Sequence, residues 1–364
     1  MRILFCGGGT AGHVNPALAI AQTVMRNSPD SAVAYVATNE GIENKLVPFK
    51  KYHINVTGLK RSLSLSNVKA AYLTLRAIGK SKKIIEDFQP DIIIGTGGYS
   101  TYPVIFAGSK LGIKTAVHES NAIPGKAIKM LQSRVDRIFV NFEETSKYFD
   151  VKDKVVHTGN PLRNGFNSYE RAEARRMMGI KEKYVVLCYG GSLGASRVND
   201  GALELIENLI SDSPDVLFIW ASGKREYGRV KEILHAKKYD RLENLRFSDY
   251  IYDMPEKVAA ADIVICRAGA MSVSEMASSG KCTIFIPSPN VTDNHQYKNA
   301  KIIGDAGAAM VITEDQLYKL TDTVKELLSD DKKRLSMAKK IRSFSVPDAN
   351  KRIYKEILSM TRSR

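Results

Sequence analysis

The sequence predicts an α/β protein: two Rossmann-like, doubly wound parallel-sheet domains facing a cleft. Three observations carry that expectation. Strand-like apolar runs recur along the chain with helical segments between them, the alternation of parallel sheets covered on both faces. One start appears twice, as Ile3-Leu-Phe-Cys-Gly-Gly-Gly-Thr-Ala-Gly12 and as Val185-Val-Leu-Cys-Tyr-Gly-Gly-Ser-Leu-Gly194, each a strand running into a glycine turn before a helix. And 364 residues, 44% of them hydrophobic, suffice for two full cores.

In the first half the predicted strands are residues 3–6, 33–37, 92–94, 115–117 and 138–140. After Gly159-Asn-Pro-Leu-Arg163 and a charged helix ending near Gly179, the pattern restarts with 184–189, 216–220, 263–266 and 283–286. The expected domains are 1–163 and 164–344. Ligands of such sheets bind beyond the carboxyl ends of the strands, so the glycine turns are expected to line the cleft.

The first turn, Gly7-Gly-Gly-Thr-Ala-Gly-His13, contains Gly-x-Gly-x-x-Gly. A dinucleotide would also need an acid closing the second strand. Val36-Ala-Thr-Asn39 offers none, and Asp30 and Glu40 are poorly placed, so the glycines are read as admitting another ligand. His13 precedes Asn15-Pro16, which reads as a helix cap and first-turn proline. Its imidazole is either a base near neutral pH or a hydrogen-bonded structural histidine.

Residues 67–88 carry Val68, Ala71, Tyr72, Leu75, Ile78 and Ile85 at helical spacing among Lys69, Arg76, Lys80, Lys82 and Lys83, after Lys60-Arg61, Leu63 and Leu65. The mixture suits a membrane interface, or a helix packed on the sheet with a solvated lysine face. Residues 91–103 form another strand and glycine turn, with Pro103 starting a helix. His118-Glu-Ser-Asn121 ends the next strand, where sugar contacts, proton transfer and simple capping are all open.

In the second half, Asp262 to Gly280 reads as a buried strand, a turn through Gly269 and a helix stopping at Gly280. Small residues at Ala268, Gly269 and Ala270 leave the helix start open to an anion such as a diphosphate. Ser272-Val-Ser-Glu275 fits a capping box, while Glu275 could instead reach a ribose hydroxyl.

Composition narrows the class. The net charge is +15, and residues 1–163 hold 22 Lys and Arg against 12 Asp and Glu, so the excess is in the first half. It would attract an anionic lipid surface or nucleic acid, but aromatic residues are sparse among the basic clusters and no RNA or DNA module is visible. No apolar run approaches the roughly 20 residues that span a bilayer, and the N-terminal run is too short for a secretory signal, so the protein is expected in the cytosol. Cys6, Cys188, Cys266 and Cys282 are scattered and read as reduced core thiols. Phosphate-loop, nucleophile-elbow and zinc-helix motifs are missing, and no Asp-x-Asp pair is present to hold a metal on a diphosphate. No metal or cofactor is expected. Arg163 could supply positive charge instead.

Taken in order, Gly7–His13, Gly97-Gly-Tyr99, His118–Asn121, Gly159–Arg163, Gly190-Gly-Ser-Leu-Gly-Ala195, Cys266–Glu275 and His295-Gln-Tyr-Lys-Asn-Ala300 resemble the bacterial family that converts lipid I to lipid II by transfer of N-acetylglucosamine (the MurG family). The resemblance covers nearly the whole chain. It implies a GT-B glycosyltransferase fold, an N-terminal acceptor domain, a C-terminal donor domain and a terminal helix, within about 345–364, that returns to the first domain. It implies that Thr10, Ala11 and Gly12 face the donor sugar and diphosphate, with Asn121, Arg163 and Ser192 also touching UDP-N-acetylglucosamine. Ile251 would meet uracil through its backbone, Ala270, Met271, Ser272, Val273, Ser274 and Glu275 the phosphates and ribose, and Gln296 the sugar hydroxyls. Two departures stand out: Ala11 where the family often has Gly, at some cost in backbone freedom, and Ser120 where it has Gln.

The implied reaction is inverting attack by the 4-hydroxyl of a muramyl sugar, on an undecaprenyl diphosphate carrier, at the anomeric carbon. His13 is the expected general base, with Glu119 second, and the helix start at Ser272 with Ser192 and Arg163 replaces a metal at the leaving diphosphate. The lipid acceptor implies peripheral attachment to anionic lipids of the inner leaflet, on the cytoplasmic side. Competing readings are a UDP-N-acetylglucosamine 2-epimerase of the same fold and a basic nucleic-acid-binding protein.

Overall fold

The structure, a computed structural model, describes residues 1–58, 65–162, 165–166, 168–191 and 193–362, with residues 65–67 described by their backbone alone. Contacts divide the chain into one unit of Met1–Leu162 with Val346–Arg364 and a second of Arg163–Ser345.

The first unit runs β1 (Arg2–Cys6), α1 (Ala11–Asn27), β2 (Ala32–Thr38), α2 (Glu43–Leu46), β3 (Lys50–Ile54), α3 (Leu65–Phe88) and β4 (Ile92–Gly95). It continues through α4 (Thr101–Lys110), β5 (Lys114–Glu119), α5 (Lys126–Leu131), β6 (Arg137–Val140) and β7 (Val155–His157). The second opens with α6 (Arg171–Met177), β8 (Tyr184–Tyr189), α7 (Ser196–Asn208), β9 (Val216–Ala221), α8 (Tyr227–Ala236), β10 (Leu245–Ser248), α9 (Met254–Ala260) and β11 (Ile263–Cys266). It closes with α10 (Ala270–Ser279), β12 (Cys282–Phe285), α11 (His295–Asp305), β13 (Met310–Val311), α12 (Leu320–Ser329) and α13 (Asp331–Arg342). The last helix, α14 (Ala349–Arg362), belongs to the first unit, where Ile353, Ile357 and Met360 join the core beside α1. Asn350 ties it down, accepting from the Leu162 N–H and donating to the Leu162 carbonyl and Thr23.

Among the described residues, the strands form two wholly parallel sheets, ordered β3-β2-β1-β4-β5-β6-β7 and β10-β9-β8-β11-β12-β13. The opening strand of each unit is flanked on both sides, β1 by β2 and β4, β8 by β9 and β11. The order reverses there, and in sheets of this kind ligands bind beyond the carboxyl ends of the strands at such a reversal.

The internal repeat extends to an acid before the fourth strand of each unit. Asp91 Oδ2 accepts the Arg2 N–H at 2.8 Å, and Asp262 Oδ2 accepts the Val185 N–H at 2.7 Å. Asp262 is also paired with Arg171 at 2.6 Å and Arg175 at 2.5 Å.

Four strands escape the sequence pattern: β3, β7, β10 and β13. All four are sheet edges, mostly half-buried, so their residues never form the apolar runs that mark an inner strand. Two helix starts also differ from expectation. α1 begins at Ala11 behind an extended Thr10, and Pro16 lies inside it, so His13 is on the first turn rather than before it. α10 begins behind Gly269, whose extended backbone (ψ 144°) starts the helix early. Ser272 is therefore its third residue, and no side chain caps it, so the capping box is not formed. The helix does stop at a left-handed Gly280.

All four cysteines are buried, and burial pushes every thiol up, that of Cys266 and that of Cys282 to about 12.

Removing the Asp262 carboxylate strands Arg175, which is largely covered, and frees the Val185 amide of β8. Asp262→Ala is expected to cost roughly 3 kcal/mol or more. Trp220, the chain's single tryptophan, is buried in the second unit, so its fluorescence during urea unfolding reads that loss locally.

Candidate active site

In the first unit the turn after β1 and the turn after β4 meet backbone to backbone. Gly8 N–H donates to the Gly97 carbonyl at 3.2 Å. A Cβ on Gly98 would lie 2.2 Å from the Gly8 oxygen, and one on Gly97 would lie 2.7 Å from the His13 ring; both residues have left-handed φ, +82° and +101°. Only glycine fits at these two positions.

The half-buried His13 ring rests on Gly97 with its Nδ1 2.9 Å from the Gly8 carbonyl oxygen, and Thr10 Oγ1 lies 3.3 Å from the same nitrogen. A carbonyl can only accept. Nδ1 therefore carries the hydrogen in the neutral ring and the basic lone pair is on Nε2. Thr96 Oγ1 donates to the His13 carbonyl at 2.6 Å, binding the helix to the end of β4. Thr10 and Gly12 are exposed at the same helix start, and Ala11 between them is half-buried with ordinary negative φ, so the expected backbone cost of Ala11 does not arise.

At the end of β5, His118 is fully buried, its Nε2 3.2 Å from the Gly159 oxygen. Burial lowers it from 6.5 to about 4. Glu119 is a loop clasp: Oε1 accepts from the Asn121 backbone and side chain at 2.9 and 3.1 Å, and Oε2 from Gly125 N–H at 2.8 Å. Burial raises this carboxyl above the usual range, opposed by those donors. Ser120, short and buried, lies beside His118, and its carbonyl accepts from Asn141.

In the second unit the expected phosphate residues gather at the start of α10. Met271, Ser272, Ser274 and Glu275 are half-buried there, Ala270 is nearly covered, and the Val273 side chain is in the core, leaving its backbone alone to meet a ligand. From α11, Asn299 Nδ2 donates to the Ala268 carbonyl at 3.3 Å, bracing the turn that sets this helix start. Arg267 is paired with Glu314 at 2.6 Å and donates to the Ile286 carbonyl, which directs its guanidinium into the protein. Gln296, on the first turn of α11, accepts the Ser288 N–H through Oε1 at 2.9 Å, which turns its NH₂ donors outward. Ile251 is buried just past the end of β10. Arg163 and Ser192 lie outside the described residues.

The unit-one residues His13, Thr10, Ala11 and Gly12 thus share one helix start, with Glu119 and Asn121 at the end of another strand; Ala270–Glu275, Ile251 and Gln296 occupy strand ends and helix starts of unit two. Glu43, beneath the first glycine turn, is absent from the sequence-based set, and Asn299 enters it only as part of the His295–Ala300 motif, with no role of its own. Neither is in a glycine turn, and what each touches is settled only by folding.

Residues 3–140 match the glycosyltransferase family 28 N-terminal domain and residues 185–353 its C-terminal domain. The UDP-N-acetylglucosamine–N-acetylmuramyl-(pentapeptide) pyrophosphoryl-undecaprenol N-acetylglucosamine transferase of Acetivibrio thermocellus is 41% identical, over 100% of this chain and 99% of that one. The chain belongs to that transferase family. A solved MurG from Acinetobacter baumannii superposes with a TM-score of 0.77 at 27% identity, covering 98% of this chain and 99% of that one. The two parallel sheets of this family member are those of the GT-B fold. A UDP-GlcNAc 2-epimerase from Neisseria meningitidis shares the fold, with a TM-score of 0.65 and 15% identity over 99% and 100% of the two chains.

His118 supplies a pH test of this transferase's strand end. Its folded value, about 4, is below the 6.5 of an ordinary imidazole, so the unfolded chain binds more protons between those values. The contribution is complete above pH 6.5 and is lost as pH falls toward 4, on the order of 3 kcal/mol. Urea midpoints measured across that window should fall with acid, and His118→Gln should flatten the part of the slope that His118 supplies.

Proposed function

We propose that this chain is an inverting transferase that moves N-acetylglucosamine from UDP-N-acetylglucosamine to the 4-hydroxyl of the muramyl sugar of lipid I, giving lipid II. The observation that carries the reading is the His13 ring, held by the Gly8 carbonyl with Nε2 left basic, in a chain whose full-length relatives are named for this transfer. The acceptor oxygen forms its bond to the anomeric carbon as the bond to the β-phosphate oxygen breaks. UDP leaves with the electron pair, and the hydroxyl proton passes to His13 Nε2. Glu119, whose oxygens already hold the 121–125 loop, positions that loop and Asn121 rather than taking the proton.

The leaving diphosphate is met by the first turn of α10, from Ala270 to Ser274, whose peptide dipoles point positive toward it. Arg163 and Ser192 add a charge and a hydroxyl, and Glu275 takes the ribose. Ile251 meets uracil through its backbone, and the NH₂ of Gln296 donates to the sugar hydroxyls. Thr10, Ala11 and Gly12 line the sugar side. With the diphosphate held by backbone and arginine, the reaction needs no metal.

The acceptor is a lipid, and α3 offers a face for its membrane. Val68, Tyr72 and Leu75 are exposed beside Lys69, Arg76, Lys80, Lys82 and Lys83, while Ala70, Ala77, Ile84, Ile85 and Phe88 form the buried stripe. Among the described residues no helix is long and apolar enough to cross a membrane. The exposed face instead rests peripherally on anionic lipids of the inner leaflet, on the cytoplasmic side, without nucleic acid as a partner.

Transfer of labelled N-acetylglucosamine to a lipid I analogue tests the activity: turnover should persist in chelator, and His13→Ala should lower it about 100-fold or more with donor KM little changed. Epimerised donor without acceptor would refute the reading. For the membrane, Tyr72→Ser with Leu75→Ser should weaken binding to phosphatidylserine vesicles about tenfold or more, and raised salt should weaken the unmodified protein as well.

A further inference from the structure

Beneath the first glycine turn lies a carboxylate with no part in the transfer described above. Glu43, the first residue of α2, is completely buried. Its Oε1 accepts from the Thr38 N–H at 2.9 Å and from Thr38 Oγ1 at 2.7 Å. Its Oε2 has no hydrogen-bond partner among the described residues, and neither does the buried Ser100 Oγ. Covering a carboxylate while leaving one oxygen unmet is unfavourable, and a four-residue helix gains little by it.

The surroundings of Glu43 suggest its use. A Cβ on Gly8 would lie 2.8 Å from Glu43 Oε1 and 3.0 Å from Ser100 Oγ, so both side chains press on the Gly8 backbone. Gly98 packs against the same residue through its oxygen, and Gly97 holds its N–H. The Gly8 peptide is thereby fixed, and its oxygen is the one that receives His13 Nδ1–H.

We propose that Glu43 is a positioning residue for His13: it sets the Gly8 carbonyl that fixes the imidazole tautomer, and its charge favours the proton His13 takes from the acceptor hydroxyl. The inference rests on His13 as the base. Among the described residues, Tyr35 on β2 is close to Glu43 and has Cys6 of β1 beside it, both held neutral near pH 7 by burial, with Tyr35 donating to the Gly7 oxygen. On β3, Lys51 donates to the Asn44 and Val47 carbonyls, and His53 bonds to the Asn44 side chain.

Glu43→Gln removes the charge while keeping an acceptor for Thr38. It should lower kcat about tenfold, leave the KM for UDP-N-acetylglucosamine within about twofold, and move the acid limb of the kcat/KM profile to lower pH, because an imidazole without a nearby anion protonates less readily. A merely structural carboxylate would change the unfolding midpoint and leave that limb in place. His13→Ala is assayed alongside. If it loses turnover while Glu43→Gln keeps kcat and the limb unchanged, the role of Glu43 is refuted and the base assignment survives; if it keeps turnover, both are refuted. Should Glu43→Gln fail to fold, Thr38→Val, which withdraws one hydrogen bond from Oε1, decides the matter: a severalfold fall in kcat at constant donor KM supports the proposal, and unchanged kcat overturns it.

Discussion

The contact on which the first unit's site depends is one peptide backbone laid against another. Gly8 and Gly98 approach so closely that a single methyl group on Gly98 would overlap the Gly8 oxygen, and the hydrogen bond from Gly8 to Gly97 fixes the turns in register. Everything chemically pointed there follows from that approach. The Gly8 oxygen is oriented, the oxygen orients the imidazole, and the imidazole packs against Gly97 because no side chain is in the way. The placement of the His13 ring is thus set by main chain, which holds its place with fewer rotatable bonds than side chains would.

The sheets supply the platform by a repeated device. In each unit the first strand is buried between parallel neighbours, and an aspartate before the fourth strand takes an amide at the start of that inner strand, Arg2 in one and Val185 in the other. The clamps are at the amino ends, opposite the turns. Clamps and glycine turns are therefore at opposite ends of the same strands, and substitutions in the turns need not loosen the clamps.

The legible part of the fold was its interior. Strands covered on both faces, such as β1, β4, β8 and β11, are apolar runs that lead into glycine-containing turns, and they stand out at once. The four edge strands were invisible because half-burial does not force apolar composition; β3 reads Lys-Lys-Tyr-His-Ile. The Asn15-Pro16 signal misplaced the start of α1 because the helix runs through Pro16 despite the backbone hydrogen bond that proline cannot give, and a Ser-x-x-Glu spacing was mistaken for a cap where an extended glycine had already begun the helix. Glycine turns announced where a ligand could approach. Glu43 could not be found in this way, because its meaning comes from Gly8, a residue 35 positions away in sequence.

The four thiols add a practical corollary. Each is enclosed, and burial disfavours the thiolate that alkylating and oxidising reagents require. The folded chain is in effect cysteine-free toward such reagents, so a fluorophore or spin label attached through one introduced surface cysteine would report from a single known place without any native residue being removed.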